Sequence, residues 1–371
     1  MSDEFKIAVA TLLCLMVVFA GCSEQTITGE AVKEETIKIG AILMLTGPVG
    51  TSWGEYSLKG IELAIKEINA NGGINGKQVE LIVEDNRGDN PKVAISAFHK
   101  LVNEDKVSLI IGPNWSPSGL ALAPLADETK IVMVSPSLGV ADFNEHSDYI
   151  FNLWPHDVSI TDELASHVYD KGYRRVAVLG SLQVWEMQQA ERFKKTFEEI
   201  GGEVVSFQLP NPEDRELRAE AAKIKASDAE AVVFTNMGKE GLSAKRIRES
   251  DVKIPFFSIL LDDEQLRASE GALEDTVIVT SFTPIDSFVR KFKEEYSKEP
   301  LTTADTSYDS VVLLSEAIKA VGSDDATLIA EHINSLRTYS GASGDLIFDG
   351  KGGVNKPFSL RQVQNGVVTD I

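Results

Sequence analysis

The chain has 371 residues, enough for two domains of ordinary size, and its 43% hydrophobic and 25% charged residues are the balance of a soluble globular protein. Its formal net charge of −21 argues against nucleic acid as a partner, because an acidic surface repels phosphates. The five histidines show no metal-ligand spacing and no phosphate-binding glycine motif occurs, so neither a metal nor a cofactor is predicted.

The N-terminal segment carries both cysteines of the chain, Cys14 and Cys22. Residues 7–20 form an apolar run of fourteen residues, shorter than the ~18–20 that a membrane-spanning helix needs. The run ends in small residues followed by Cys22, which resembles a bacterial lipobox, where a peptidase cuts before a cysteine that carries lipid. Two alternatives stay open: residues 1–22 are a lipoprotein-type signal peptide ending at a lipidated Cys22, or they remain as an uncleaved anchor.

Residues 23–35 are polar and lack hydrophobic periodicity, so they are predicted to be a flexible tether. Fully extended, this tether would reach roughly 40 Å at ~3.3 Å per residue. No cysteine follows Cys22, so no disulfide is possible in the mature chain.

Helical and strand patterns alternate from residue 36 onward. The predicted helices span residues 56–71, 91–104, 118–129, 160–171, 183–200, 213–226, 238–250, 287–297, 308–321 and 326–336. The predicted strands are apolar runs at residues 37–45, 79–83, 109–111, 131–134, 176–179, 231–234 and 255–257. Such strands are buried on both faces, which indicates parallel sheets covered by helices. About ten such units are too many for one core, so the predicted fold is α/β with two doubly wound parallel-sheet lobes.

Three segments carry a family resemblance. They are TGPVGTSWG at residues 46–54, NGGING at residues 71–76, and GDLIFDGKG at residues 344–352, followed by a strong hairpin signal at Asn365-Gly366. In order and wording they resemble the branched-chain amino-acid-binding (Leu/Ile/Val-binding) family of ABC-transporter solute-binding proteins, which have the periplasmic binding protein type 1 fold.

The resemblance implies two lobes joined by a three-strand hinge, with crossings near residues 154–155, 282–284 and 354–358. The implied boundaries are residues 36–155 plus 283–354 for lobe I, and 156–282 plus 355–371 for lobe II. A small ligand would bind in the cleft between the lobes.

Three connections in the first lobe follow predicted strands, which is where ligands bind in open parallel sheets. They are residues 46–54, 111–118 and 134–139. Helix N-termini there would offer free N–H groups to a carboxylate. The resemblance places Ser116 where the family binds the ligand carboxylate, although an N-cap role stays open for this serine.

The same resemblance places Ser137 at a position of backbone contacts with the ligand. Gly139 falls where the family has a threonine, so its N–H is kept and the hydroxyl is lost. Trp53 and Trp185 fall where the family has tyrosines that close over the ligand from opposite lobes.

The four tryptophans are predicted to lie in loops, after strands or at a lobe crossing. Aromatic faces can bind an apolar or aromatic body, or a cation through the ring quadrupole. Trp53, Trp115 and Trp185 are therefore predicted ligand contacts, whereas Trp154 is expected to pack at the hinge.

The second lobe departs from the family pattern. Leu260 falls where the amino-acid-binding members have an acid that pairs with the ligand ammonium, and Asp262 follows two residues later. Met237 replaces an aromatic contact and leaves a softer surface. Either Asp262 reaches into the cleft or the ligand has no ammonium, so the sequence does not support specificity for zwitterionic amino acids.

An enzyme is not predicted. Residues 50–54 fit the letters G-x-S-x-G, but a nucleophile elbow turns from strand to helix at the serine. Here the predicted strand ends at Leu45 and several loop residues precede Ser52, which is typical of a binding loop.

These observations predict an extracytoplasmic, membrane-tethered solute-binding receptor of an ABC importer. Its ligand would be small and carboxylate- or amide-bearing, amino-acid-like, with an aromatic or apolar body. The predicted partners are the importer permease and the membrane, through the lipid anchor. The alternative is the ligand-binding sensor of a signalling system, which would use the same cleft.

Overall fold

The first folded residues form the middle of an open sheet. Residues 36–47, 51–144 and 147–371 are described by the computed structural model, so the expectations for residues 1–35, including Cys22, lie outside the described residues. In strand β1 (Ile37–Leu43) six of seven residues are buried, as expected for a strand covered by helices on both faces.

Strands and helices alternate along most of the chain. The helices are α1 (Thr51–Ala70), α2 (Pro91–His99), α3 (Ser116–Thr129), α4 (Asp157–Asp170), α5 (Val184–Glu199), α6 (Arg218–Ala226), α7 (Glu240–Glu249), α8 (Asp263–Ala268), α9 (Asp286–Tyr296), α10 (Ala304–Val321) and α11 (Ala326–Ser335). The further strands are β2 (Val79–Asp85), β3 (Leu109–Ile111), β4 (Val132–Ser135), β5 (Ile150–Asn152), β6 (Arg175–Leu179), β7 (Glu203–Gln208), β8 (Ala231–Phe234), β9 (Phe256–Ile259), β10 (Val277–Thr280), β11 (Thr338–Gly341), β12 (Gly344–Phe348), β13 (Val354–Asn355), β14 (Ser359–Gln364) and β15 (Val367–Asp370).

The first sheet has five parallel strands in the order β2-β1-β3-β4-β5. Successive side chains point to opposite faces. Ile39 and Leu43 therefore join a core with helices α1 and α10, whereas Ile42 joins a core with α2 and α3. Helices thus cover both faces of this sheet.

The second sheet has seven strands in the order β15-β14-β10-β9-β8-β6-β7. The five from β7 to β10 are parallel. Val178 packs on one face toward α4 and α5, and Leu179 packs on the other toward α6 and α7. The predicted α/β fold with two doubly wound parallel sheets is confirmed.

The C-terminal residues add antiparallel pairs to this plan. Strand β14 pairs antiparallel with β10 and forms a hairpin with β15, while β11, β12 and β13 form a small antiparallel sheet. Asn365 and Gly366 form the hairpin turn with φ of 55° and 73°, the left-handed values of a type I′ turn. The turn predicted from these two residues is confirmed.

The helix starts that differ most from the sequence expectation are those of α1 and α6, each by five residues. Helix α1 begins at Thr51 instead of residue 56, so Trp53 and Gly54 lie in its first turn and not in a loop. Helix α6 begins at Arg218 instead of residue 213, because Leu217 adopts a left-handed backbone with φ 44° that interrupts helical geometry. The short helix α8 was not predicted.

None of the helices in the described part of the chain combines the length and the apolar character needed to cross a bilayer. The strands of the first sheet lie within residues 37–152, and those of the second lie within residues 175–280 and 359–370. The implied lobe boundaries at residues 155, 282 and 354 stay predictions.

Candidate ligand-binding site

One cavity collects connections that follow strands of both sheets. It contains about 380 Å³ of space free of protein atoms, part of which is open solvent. Eight of the nine predicted site residues line it: Trp53, Trp115, Ser116, Ser137, Gly139, Trp185, Met237 and Leu260. Four further lining residues were not predicted: Asn114, Asp157, Gln183 and Glu186.

The N-terminus of α3 forms one wall of the cavity. Ser116 is its first residue and is 4% exposed. Trp115 holds the N-cap position and makes no side-chain capping bond, so the N-cap alternative for Ser116 is wrong by one residue. Pro117 has no N–H, and the Ser118 N–H donates to Asp89 Oδ1 at 3.1 Å. The N–H and the hydroxyl of Ser116 are therefore the donors that the start of this helix offers to a carboxylate.

Hydrogen bonds fix the loops beside this helix. The Ser137 hydroxyl donates to the Asn114 carbonyl oxygen at 2.8 Å, and Asn114 Nδ2 donates to the Ser57 hydroxyl of α1 at 2.7 Å. The connections after β1, β3 and β4 are therefore tied together behind the cavity wall.

Two indoles meet on the same side. The rings of Trp53 and Trp115 contact edge to face, with centroids 6.2 Å apart and planes at 76°. The Thr303 hydroxyl donates to the Trp53 carbonyl oxygen at 2.9 Å, which ties the first turn of α1 to the start of α10. Neither indole N–H has a hydrogen-bond partner among the described residues.

A buried carboxylate joins two more tryptophans. Asp157 Oδ1 accepts from Trp154 Nε1 at 2.8 Å, and Oδ2 accepts from Trp185 Nε1 at 2.7 Å. Burial raises the pKa of Asp157 to about 7, although both indole hydrogen bonds act in the opposite direction. Trp154 is fully buried and is not among the cavity-lining residues, and its expected hinge role stays a prediction.

Gly139 lies directly against this arrangement. A Cβ at this position would lie 1.8 Å from Asp157 Oδ2 and 2.5 Å from Trp185 Nε1. The carboxylate and the indole therefore occupy the space that a threonine side chain would need. The Gly139 carbonyl oxygen also accepts from the Asp157 N–H at 3.0 Å.

The start of α5 forms the opposite wall. Gln183 caps this helix, since its side-chain oxygen accepts from the N–H groups of Trp185 at 2.5 Å and Glu186 at 3.1 Å. Glu186 is 8% exposed, and its Oε2 has no hydrogen-bond partner among the described residues. Burial raises the pKa of Glu186 to about 7, against the lowering effects of a Ser181 hydrogen bond and the Lys239 charge.

Asp262, the ninth predicted residue, does not line this cavity. Its Oδ1 caps helix α8 by accepting from the Gln265 N–H at 2.9 Å, and burial raises its pKa. Asp262 lines a neighbouring cavity of about 1480 Å³ that shares Trp53 and Leu260 with the first. Leu260, which lines both cavities, has a left-handed φ of 64°.

The four unpredicted lining residues all sit beside predicted ones. Asn114 precedes Trp115, Gln183 and Glu186 flank Trp185, and Asp157 follows the predicted crossing. A polar residue at a strand-to-helix connection was the available signal. Among the described residues, no group of His, Cys, Asp or Glu is arranged to hold a metal ion.

Two open sheets with a cavity at the carboxyl ends of their strands define a two-lobed binding protein. Residues 36–367 match the periplasmic binding protein family, and the chain belongs to it. This membership indicates an extracytoplasmic location, and the relatives that follow are solute-binding proteins and not enzymes.

Individual relatives are distant but span nearly the whole chain. The leucine-, isoleucine-, valine-, threonine- and alanine-binding protein of Pseudomonas aeruginosa is 25% identical over 86% of this chain and 87% of its own length. The leucine-binding protein LivK of Thermotoga maritima is 26% identical, with a TM-score of 0.85 over 91% of this chain and 98% of that one. The branched-chain amino-acid transporter protein LivJ of Streptococcus pneumoniae, solved with isoleucine, is 25% identical, with a TM-score of 0.83 over 90% and 98%.

Proposed function

We propose that this protein is the solute-binding receptor of an ABC importer, tethered to the membrane through lipid on Cys22. Its ligand is small, bears a carboxylate or amide, and has an amino-acid-like, apolar or aromatic body. The observation that carries this proposal is that eight of the nine predicted residues, which follow strands of both sheets, line one cavity.

The cavity wall at α3 supports the carboxylate or amide part of the proposal. The N–H and the hydroxyl of Ser116 are donors at the positive end of a helix dipole. Gly139 lines the same cavity, and its N–H is the backbone donor that the family resemblance assigns to the ligand.

The remaining lining supports an apolar or aromatic body. Three indoles, Met237 and Leu260 offer flat and deformable apolar surface. The Pseudomonas relative is an amino-acid-binding protein and the Streptococcus relative was solved with isoleucine, which agrees with a small amino-acid-like ligand.

Ligand binding is tested by tryptophan fluorescence and thermal unfolding across amino acids, amides and aromatic acids. We expect at least one compound to change the fluorescence, because three indoles line the cavity, and to raise the unfolding temperature by mass action. Ser116→Ala should lower the affinity for that compound roughly 10-fold, because a hydrogen bond to a charged group contributes ~1.5–3 kcal/mol to binding.

The control is Ser96→Ala, the same change at an exposed serine of α2 whose hydroxyl bonds its own helix at Lys92. It should leave affinity unchanged. If no compound alters either signal, or if Ser116→Ala binds like the wild type, the assignment of this cavity is wrong.

Membrane tethering is tested separately on the full chain. Lipid on Cys22 would hold the protein at the membrane, so Cys22→Ser should release it into the soluble fraction after cell lysis. Cys14→Ser is the matched control and should stay membrane-bound. Continued membrane association of the Cys22→Ser protein would support the uncleaved anchor instead.

A further inference from the structure

We propose that Glu186 is the counter-charge for a protonated amine on the ligand, and so determines which ligands this cavity accepts. The inference rests on the proposed function, because it assumes a ligand in this cavity. The sequence pointed to Leu260 and Asp262 for this role, and the structure offers a carboxyl from a different helix.

The unpartnered polar atoms of the lining side chains fall into two kinds. Glu186 Oε2 and Asn114 Oδ1 are acceptors, while Trp53 Nε1 and Trp115 Nε1 are donors, and none has a hydrogen-bond partner among the described residues. Buried polar groups are normally satisfied. A ligand that carries both N–H donors and an acceptor group would satisfy both kinds.

The charge of the lining points the same way. Its ionisable residues are Asp157 and Glu186, and no Lys, Arg or His is among the twelve lining residues. Indole faces also attract cations through the ring quadrupole, and three indoles line this cavity. A cationic group is therefore the complementary occupant.

Of the two acids that line the cavity, Glu186 is the one with an oxygen that has no hydrogen-bond partner among the described residues. Both oxygens of Asp157 already accept indole N–H groups. Asp262 caps α8 and lines the neighbouring cavity. Lys239, the cation whose charge acts on Glu186, donates to main-chain oxygens, among them that of Asp214 at 2.9 Å.

The groups near Glu186 compensate its charge only in part. A Ser181 hydrogen bond and the charge of Lys239 favour its ionised form. The other acids nearby are Asp157, which lines the same cavity, and Glu240, on which the charges of Glu186 and Asp262 act. Burial dominates this balance and holds the pKa of Glu186 near 7. A ligand amine would favour the ionised form, whereas a proton would compete with it.

The ligand test uses matched pairs that differ in one amino group: phenylalanine against 3-phenylpropionate, and leucine against 4-methylpentanoate. Affinities of wild type, Glu186→Gln and Glu191→Gln are measured by titration calorimetry at pH 8. We expect the wild type to bind the amine of a pair roughly 10-fold or more tightly than its partner. Glu186→Gln should remove this preference while keeping affinity for the amine-free acid, and the exposed Glu191→Gln on the same helix should not.

The outcomes separate the two proposals. Equal or tighter binding of the amine-free acids by the wild type would overturn the role of Glu186 and leave the proposed function standing. Binding of neither series would count against the proposed function itself, and with it the inference.

A ligand-free readout checks whether the carboxyl is unsatisfied in the empty cavity. An acid whose pKa is raised by folding destabilises the protein above that pKa. Glu186→Gln should therefore raise the unfolding temperature at pH 8 and change it little near pH 5, and Glu191→Gln should do neither. A lower unfolding temperature of Glu186→Gln at pH 8 would show that protein groups already satisfy the carboxylate, which contradicts the proposal.

Discussion

At the scale of single residues, Gly139 decides how the Asp157 carboxylate reaches Trp185. The absent side chain leaves room for Asp157 Oδ2, which would lie 1.8 Å from a Cβ. Compared with the family, Gly139 lacks the threonine hydroxyl that would bind the ligand. In the folded protein, the missing side chain makes room for the buried hydrogen bond of 2.7 Å between Trp185 Nε1 and Asp157 Oδ2.

We predict that Gly139→Ala destabilises the protein by ~1–3 kcal/mol, the usual range for an overpacked site. The added methyl must displace the carboxylate or the indole, both of which are buried. Asp157→Ala vacates this space, so the double variant should lose less than the sum of the two single losses. Urea unfolding of the four proteins gives the coupling, expected at roughly 0.5–3 kcal/mol.

The control cycle pairs Gly139→Ala with Asp162→Ala, which lies on the same helix and is paired with Arg192. These two changes should add within ~0.5 kcal/mol. If the stability losses of Gly139→Ala and Asp157→Ala were also additive, the added methyl group would not be competing with the Asp157 carboxylate for space, which would contradict the prediction.

At the scale of elements, periodicity and turn residues predicted the strand–helix alternation and the hairpin at Asn365-Gly366. They missed the start of α1, because glycine has more than one structural use. Gly54 was taken as a loop residue, but it lies in the helix where a Cβ would lie 2.0 Å from the Met44 carbonyl oxygen. Both a tight turn and the close packing of a helix on a strand end require glycine, so the residue alone does not distinguish them.

The sequence predicted the site residues that follow strand ends. It did not predict which polar side chains lack a hydrogen-bond partner, because those partners come from several elements. Connections after strands converge in any open parallel sheet, and this geometry collected eight of the nine expected residues. The carboxyl of Glu186 was missed because position-by-position comparison looks for an acid at Leu260. Which side chain is left without a partner depends on packing that a sequence does not display.

At the scale of the whole molecule, several acids are buried within a strongly acidic chain. Burial raises the pKa of Asp89 and Asp309 to about 6, and that of Asp157 and Glu186 to about 7. In each case burial outweighs the hydrogen bonds that favour the ionised form. Glu240 is shifted in the same direction, first by burial and then by the charge of Asp262.

These shifts predict a protein that is more stable at pH 5 than at pH 8. An acid whose pKa is raised by folding costs stability once the pH exceeds its unfolded value, and the cost is complete above its folded value. The loss should therefore accumulate between about pH 4 and pH 7. For Glu186 alone, a shift from 4.5 to about 7 corresponds to roughly 3 kcal/mol at ~1.4 kcal/mol per pKa unit.

Acids with lowered pKa values set the other limb of the profile. Hydrogen bonds from Thr46, Leu45 and Arg87 outweigh the partial burial of Asp85 and lower its pKa, so its stabilising contribution is lost only as the pH falls below about 4. Urea unfolding of the ligand-free protein at constant ionic strength from pH 3 to pH 9 should therefore show a maximum near pH 4 and a decline from there to pH 8. Stability that rises steadily from pH 5 to pH 8 would contradict the conclusion that burial disfavours the ionised forms of four acids, Asp89, Asp157, Glu186 and Asp309. A bound amine should reduce the loss above pH 7, because it stabilises the ionised Glu186 in the folded state only.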